Sequence, residues 1–282
     1  GHSIHIASST LDPITISFCH IVDCGTARNT ASVYLDASKF EFSDNEVTFS
    51  DVANSCGCLK ARRSSSHVYR NNVFSNSRQD YNDKSRWISA GIHDNSPNTN
   101  ANYFEIENNT FDNIFGNNQG RCFLIEKVID IKIKGNSIQN CPEGAFYIKV
   151  IFDTKKEEFS IEDCKFINNT IGNHWFSSFG INPQIWIQNK GPATGSYYQL
   201  TLNFVNCYFE NNFNQKKGGA LWYGKMEYNA DTKVVINHCQ FVNNRATEDG
   251  GALALYPYYG CEIIDCEFIR NRSDQGKGAI YI

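Results

Sequence analysis

The chain has 282 residues, with 26 Lys and Arg against 30 Asp and Glu, a formal net charge of −4 and 41% apolar residues. The apolar share excludes a disordered chain, and the missing cation excess excludes a nucleic-acid binder, since nothing would replace phosphate counterions. No stretch reaches the ~18 uninterrupted apolar residues of a membrane-spanning helix. With 33 Asn and nine Leu, the composition favours turns and strands. Asn competes with helix by bonding to its own backbone, and Phe, Ile, Val and Tyr suit a pleated surface. No initiator Met or apolar leader opens the chain, which reads as beginning inside a longer protein.

In chain order, one pattern recurs: Φ-x-Φ-x-x-[N/C]-x-Φ, where Φ is inward-facing and mostly apolar. Cys19 is flanked by Ile14, Ile16 and Ile21, and Asn45 by Phe40, Phe42 and Val47. Asn72 has His67, Tyr69 and Phe74, Asn109 has Phe104, Ile106 and Phe111, and Asn136 has Ile131, Ile133 and Ile138. Cys164 (Phe159, Ile161, Phe166), Cys207 (Leu202, Phe204, Phe209), Cys239 (Val234, Ile236, Phe241) and Cys266 (Cys261, Ile263, Phe268) complete nine copies. The spacings are 26, 27, 37, 27, 28, 43, 32 and 27. A basic period of about 27 lies in the solenoid range. The long spacings mark insertions near 77–103 and 170–200, which a solenoid tolerates because each coil touches only its neighbours.

Φ-x-Φ is a short strand with alternate residues facing inward. Asn, Asp or Gly usually precedes the [N/C] position, as at Asp44, Asn71, Asn108, Gly135, Asp163, Asn206 and Asp265, and these types suit a tight left-handed corner. The [N/C] residues then stack at the ~4.8 Å strand spacing into a ladder. Asn satisfies turn amides there, and Cys fills the same small volume. The leucine-rich repeat shares such a ladder, but eight residues before [N/C] this chain has Ala37, Ser64, Ala101, Lys156, Gln199 and Asp231, which would not build its core. The Gly-Gly-Ala segments 218–223 and 250–256 also lack a helix-capping side chain. The fold expected is all-β: one right-handed parallel β-helix domain over 1–282, of about nine coils, with three short strands in each. The leucine-rich solenoid is the alternative. The chain stops inside a strand at Ile282, so more coils or a cap are expected in a longer protein.

The pairing of Gly-Gly-Ala with F-x-x-N resembles the repeats of the polymorphic outer membrane proteins, within the pectate-lyase-like β-helix class. F-x-x-N stands at Phe166–Asn169, Phe209–Asn212, Phe241–Asn244 and Phe268–Asn271, and Gly-Gly-Ala follows at Gly218, Gly250 and, weakened, at Lys277. From about residue 140 onward the likeness is good; upstream only the skeletal pattern remains. The resemblance implies a non-catalytic, extracellular or cell-surface protein used in adhesion, with glycans or host-surface proteins as partners. The rival implied by the same fold class is a polysaccharide lyase or glycoside hydrolase. Its Asn-Thr-Asp, Gly-His-Gly and Arg-Ile-Lys elements do not occur here.

Other candidates carry plain readings. Glu105 and Glu107 beside Lys132 and Lys134 read as a solvated charge ladder. Asp80, Asp83, Arg86, His93 and Asp94 fall in the first insertion, with no spacing that makes them converge. Cys56-x-Cys58 has no matching second pair, so no zinc site, other metal site or cofactor is expected. Cys24, Cys122, Cys141 and Cys261 are free to pair across coils in an oxidising compartment. No catalytic residues are assigned. If alternate residues of the Gly-Gly-Ala strands face out, Tyr147, Trp186, Trp222 and Tyr281 form an outward row interrupted by Ala254. Such a row stacks sugar rings or anchors a partner, or merely braces neighbouring coils. Three N-x-[S/T] triplets occur, at Asn108, Asn168 and Asn271.

Overall fold

A computed structural model of the chain describes residues 4–7, 12–22, 31–37, 39–48, 51–53, 58–62, 66–80, 91–95, 103–116, 122–128, 130–142, 146–150, 156–171, 185–189, 198–223, 230–256 and 260–282. Its regular elements are all strands, with no helix among the described residues. The strands stack coil on coil into long parallel sheets, two of them nine-stranded, so the chain is a parallel β-helix. The leucine-rich alternative is set aside, because its helical convex side is missing from the described coils.

Each Φ-x-Φ segment lies in the first nine-stranded sheet, here called the lead sheet, which runs from Ile14–Ser17 to Gly260–Ile264. Its register places Phe40, His67, Phe104 and Ile131 in one inward row. The second nine-stranded sheet follows the corner and runs from His20–Val22 to Glu267–Ile269. Its central residues Val47, Phe74, Phe111, Ile138, Phe166, Phe209, Phe241 and Phe268 share one register. Four of the rings stack in a column, with centroid separations of 4.8, 4.8 and 4.9 Å from Phe166 to Phe268. Ring spacing thus equals strand spacing, which identical side chains in register achieve without strain. His67 takes an apolar position: it is fully buried and lies 3.8 Å from the Phe40 ring.

The strand just before the lead strand forms a seven-stranded sheet in the early coils, from Ile4–Ala7 to Ile185–Asn189. In the late coils the same place is held by a three-stranded sheet of Leu221–Tyr223, Leu253–Leu255 and Ile280–Tyr281. Three strands per coil are therefore joined by a fourth short segment. It appears at Asp51–Ala53, Arg78–Asp80 and Phe115–Gly116, and again at Thr170–Ile171, Phe213–Asn214, Arg245–Ala246 and Arg272–Ser273. Its cause is a second left-handed corner five residues after the first. The first corner has positive φ at Asp44, Asn71, Asn108, Asp163, Asn206, His238 and Asp265, and the second at Asn76, Asn113, Asn140, Asn168, Asn211, Asn243 and Arg270. The abundance of Asn is thereby explained, since its short polar side chain tolerates this backbone.

The insertions are interrupted by coil strands. Within 77–103 lie Arg78–Asp80 and Ile92–Asn95, the latter paired to Leu59–Arg62 and Phe123–Val128. Within 170–200 lie Thr170–Ile171, Ile185–Asn189 and the start of Tyr198–Val205.

Candidate functional site

All the buried asparagines among the described residues except Asn214 belong to two ladders. In the first, each Asn accepts from the coil before it: Cys19 N donates to Asn45 Oδ1 (3.0 Å), Asn45 N to Asn72 Oδ1 (3.0 Å), Asn72 N to Asn109 Oδ1 (3.0 Å) and Asn109 N to Asn136 Oδ1 (2.9 Å). The Asn Nδ2 groups return to carbonyls of the preceding coil, as Asn109 does to Tyr69 O at 2.9 Å. Cysteines continue the column. Cys207 N meets Cys239 Sγ and Cys239 N meets Cys266 Sγ, both at 3.4 Å. Cys164, Cys207 and Cys239 are buried and Cys266, in the last coil, is half-buried. The second ladder was not read from sequence as a ladder. It consists of the Asn of F-x-x-N: Asn169, Asn212, Asn244 and Asn271, with N to Oδ1 distances of 3.1, 3.0 and 2.9 Å, and Cys141 N donating to Asn169 at 2.9 Å. The signal was present as an invariant offset of five from the first ladder.

All nine described cysteines are free thiols. Burial pushes the Cys164 thiol up to about 12, so the reactive thiolate is suppressed. Among the described residues no group of three or more His, Cys, Asp or Glu is placed to hold a metal ion. Cys56, Asp83 and Arg86 lie outside the described residues, and of Asp80, His93 and Asp94 only the backbone is described.

On the outer surface of the lead sheet, Arg70 gathers three carboxylates: Glu105 at 2.6 Å, Glu41 at 3.2 Å and Glu107 at 3.4 Å. Lys132 adds a contact of 3.1 Å to Glu107, and Tyr103 Oη donates to Glu105 at 3.1 Å. Burial drives the Glu105 carboxyl up, but hydrogen bonds from Arg70 and Tyr103 outweigh it and hold the group below the usual carboxylate range. Acid and base are here tied to each other. The cluster closes on itself and leaves no unpaired base aimed at a substrate.

The four aromatic candidates divide between two sheets. Tyr147 and Trp186 are register partners in the seven-stranded sheet; only their backbone is described. Trp222, Ala254 and Tyr281 share a register in the three-stranded sheet. Ala254 does not leave a gap there, since it is fully buried. The reason is the Gly-Gly-Ala turn. Gly250 has φ +68, and a Cβ on it would stand 2.0 Å from Leu253 O and 3.1 Å from Ala254 Cβ, so the turn folds down onto the strand. The next glycine, Gly251, lies against the following coil: its Cβ would stand 2.3 Å from the Arg272 carbonyl carbon.

These turns bring cations to the aromatic residues. Lys217 donates to Tyr256 Oη (3.0 Å) and pairs with Asp249 (2.9 Å), with its Nζ 5.6 Å from the Tyr256 ring centroid and 5.5 Å from that of Tyr281. Tyr256 and Tyr281 cross edge to face at 5.4 Å. Lys277 Nζ lies 5.7 Å from the Tyr281 ring centroid. Hydrogen bonds to Tyr256 and Asp249 raise the Lys217 pKa, and the bond from Lys217 lowers that of Asp249. Lys217, Asp249, Tyr256 and Lys277 were not singled out in the sequence, because only the coil geometry brings four separate turns together. The result is a half-buried aromatic and cationic cluster that includes Tyr281; Trp222 shares its sheet register two coils away. It can stack a planar or ring-faced ligand and supply donors beside it. No family model, curated protein or solved structure matches this chain.

Proposed function

We propose that this chain is part of a non-catalytic surface or secreted β-helix protein that binds a glycan or a protein partner through its lateral face, in the manner of the polymorphic outer membrane protein repeats it resembles. The observation that carries the reading is the meeting of Tyr256, Tyr281, Lys217 and Lys277 on one half-buried flank of the late coils. Elsewhere in the described coils, the Asn ladders and the Arg70 carboxylate cluster engage their polar groups with one another. Burial and a raised pKa protect Cys164 from oxidation, which is compatible with an oxidising exterior.

The test is a glycan and cell-surface protein array probed with the full chain, followed by titration of the strongest hit. A double substitution, Tyr256→Ala with Tyr281→Ala, is expected to weaken binding at least tenfold while the far-ultraviolet spectrum stays unchanged. Binding that is indifferent to these rings removes the proposed face. Turnover of a polyuronide panel, with or without Ca²⁺, would instead establish the lyase alternative.

A further inference from the structure

The three N-x-[S/T] triplets look alike in sequence, but the coil places them differently. Asn108 and Asn168 are left-handed corner residues with φ of 55° and 54°, and their side chains are exposed. Each has one long amide bond: Asn108 Nδ2 to Asn71 Oδ1 at 3.4 Å, and Asn168 Nδ2 to Asn140 Oδ1 at 3.3 Å. An amide nitrogen carries two hydrogens, so a substituent on the second leaves both the corner and its bond in place. Asn271 is a rung of the second ladder. Its Nδ2 donates inward to Phe241 O at 2.7 Å, and its Oδ1 accepts from Asn244 N at 2.9 Å and Asn244 Nδ2 at 3.0 Å. The earlier rungs point their second hydrogen along the column to the next Oδ1, so a sugar on the Asn271 nitrogen would occupy the ladder column, not the surface.

We infer that Asn108 and Asn168 are acceptor sites for N-linked glycan and that Asn271 is withheld by the fold. The inference rests on the surface or secreted reading above, since the modification is made in a secretory pathway. The hydroxyl partners Thr110 and Thr170 begin strands of the second sheet and of the short segment. Each glycan would therefore leave from an exposed corner that precedes a strand.

The experiment is expression of the full chain behind a secretory leader in a eukaryotic host. The folded, secreted product is treated with an amidase that converts glycosylated Asn to Asp, and peptides are weighed. Conversion is expected at Asn108 and Asn168 and absent at Asn271, including in a Ser273→Thr variant that strengthens the third triplet. A folded, secreted chain with glycan on Asn271 would overturn the inference, as would empty Asn108 and Asn168. If the expressed protein shows the expected pattern while protein from its native cells carries no sugar, the secreted reading fails and the acceptor assignment stands.

Discussion

Replacing Asn109 with Ala tests the ladder at its centre. Asn109 is fully buried and links three coils. Its Oδ1 accepts from Asn72 N (3.0 Å) and Asn72 Nδ2 (2.9 Å), and its Nδ2 donates to Tyr69 O (2.9 Å) and Asn136 Oδ1 (3.1 Å). Alanine deletes all four bonds without admitting water. The Asn72 N–H is stranded, while Asn72 Nδ2 keeps its bond to Phe42 O and Asn136 Oδ1 keeps that from Asn109 N. At ~1–3 kcal/mol for each buried group left unsatisfied, with partial losses at the others, the cost is about 3–5 kcal/mol. Cysteine at the same place should cost roughly half, because sulfur accepts the corner N–H in the late coils and fills most of the volume. Urea denaturation gives the global loss. Hydrogen exchange at the Asn72 amide gives the local one, which matters because a stacked array need not unfold as one unit. An Asn113→Gly control at an exposed corner should stay within ~0.5 kcal/mol. A loss below about 1 kcal/mol for Asn109→Ala, or equal losses for Ala and Cys, would refute the ladder as a stabilising element.

Other outcomes follow from the same structure. The Glu105 carboxyl is held below its unfolded value, so its contribution is full above the ordinary carboxylate range and is lost as pH falls through the lower folded value; Glu105→Gln should flatten acid unfolding there, read by circular dichroism against pH. Gly251→Ala forces a methyl group onto the Arg272 backbone and should cost at least ~2–3 kcal/mol, seen as a large fall in Tm or as insoluble protein. Phe18 has φ 56 and is 80% exposed at a corner that Asn or Asp usually holds; Phe18→Asn should stabilise by ~0.5–1 kcal/mol, and a lower Tm would refute strain at that corner.

The lead sheet was legible because its signal is repeated: a two-residue alternation closed by a fixed polar rung, nine times over, leaves few folds that satisfy every copy. The second corner was harder to see. Asn76, Asn113 and Asn140 resemble ordinary loop residues until the coil places them in register, and the F-x-x-N asparagines were read as a family signature before their hydrogen bonds gave them a physical role. The aromatic row was read on a strand alternation that holds within a sheet. Tyr147 and Trp186 share one sheet and Trp222 and Tyr281 another, and no local pattern reports that change. Lys217, Asp249 and Lys277 meet through stacking across coils about 28 to 32 residues apart, which a short sequence window does not register.

The backbone bonds of the asparagine stacks run in one sense only. Every Oδ1 in both columns faces lower-numbered coils and every corner N–H faces higher-numbered ones. A coil can therefore be added only the same way round: reversed, it would set N–H against N–H on one face and oxygen against oxygen on the other.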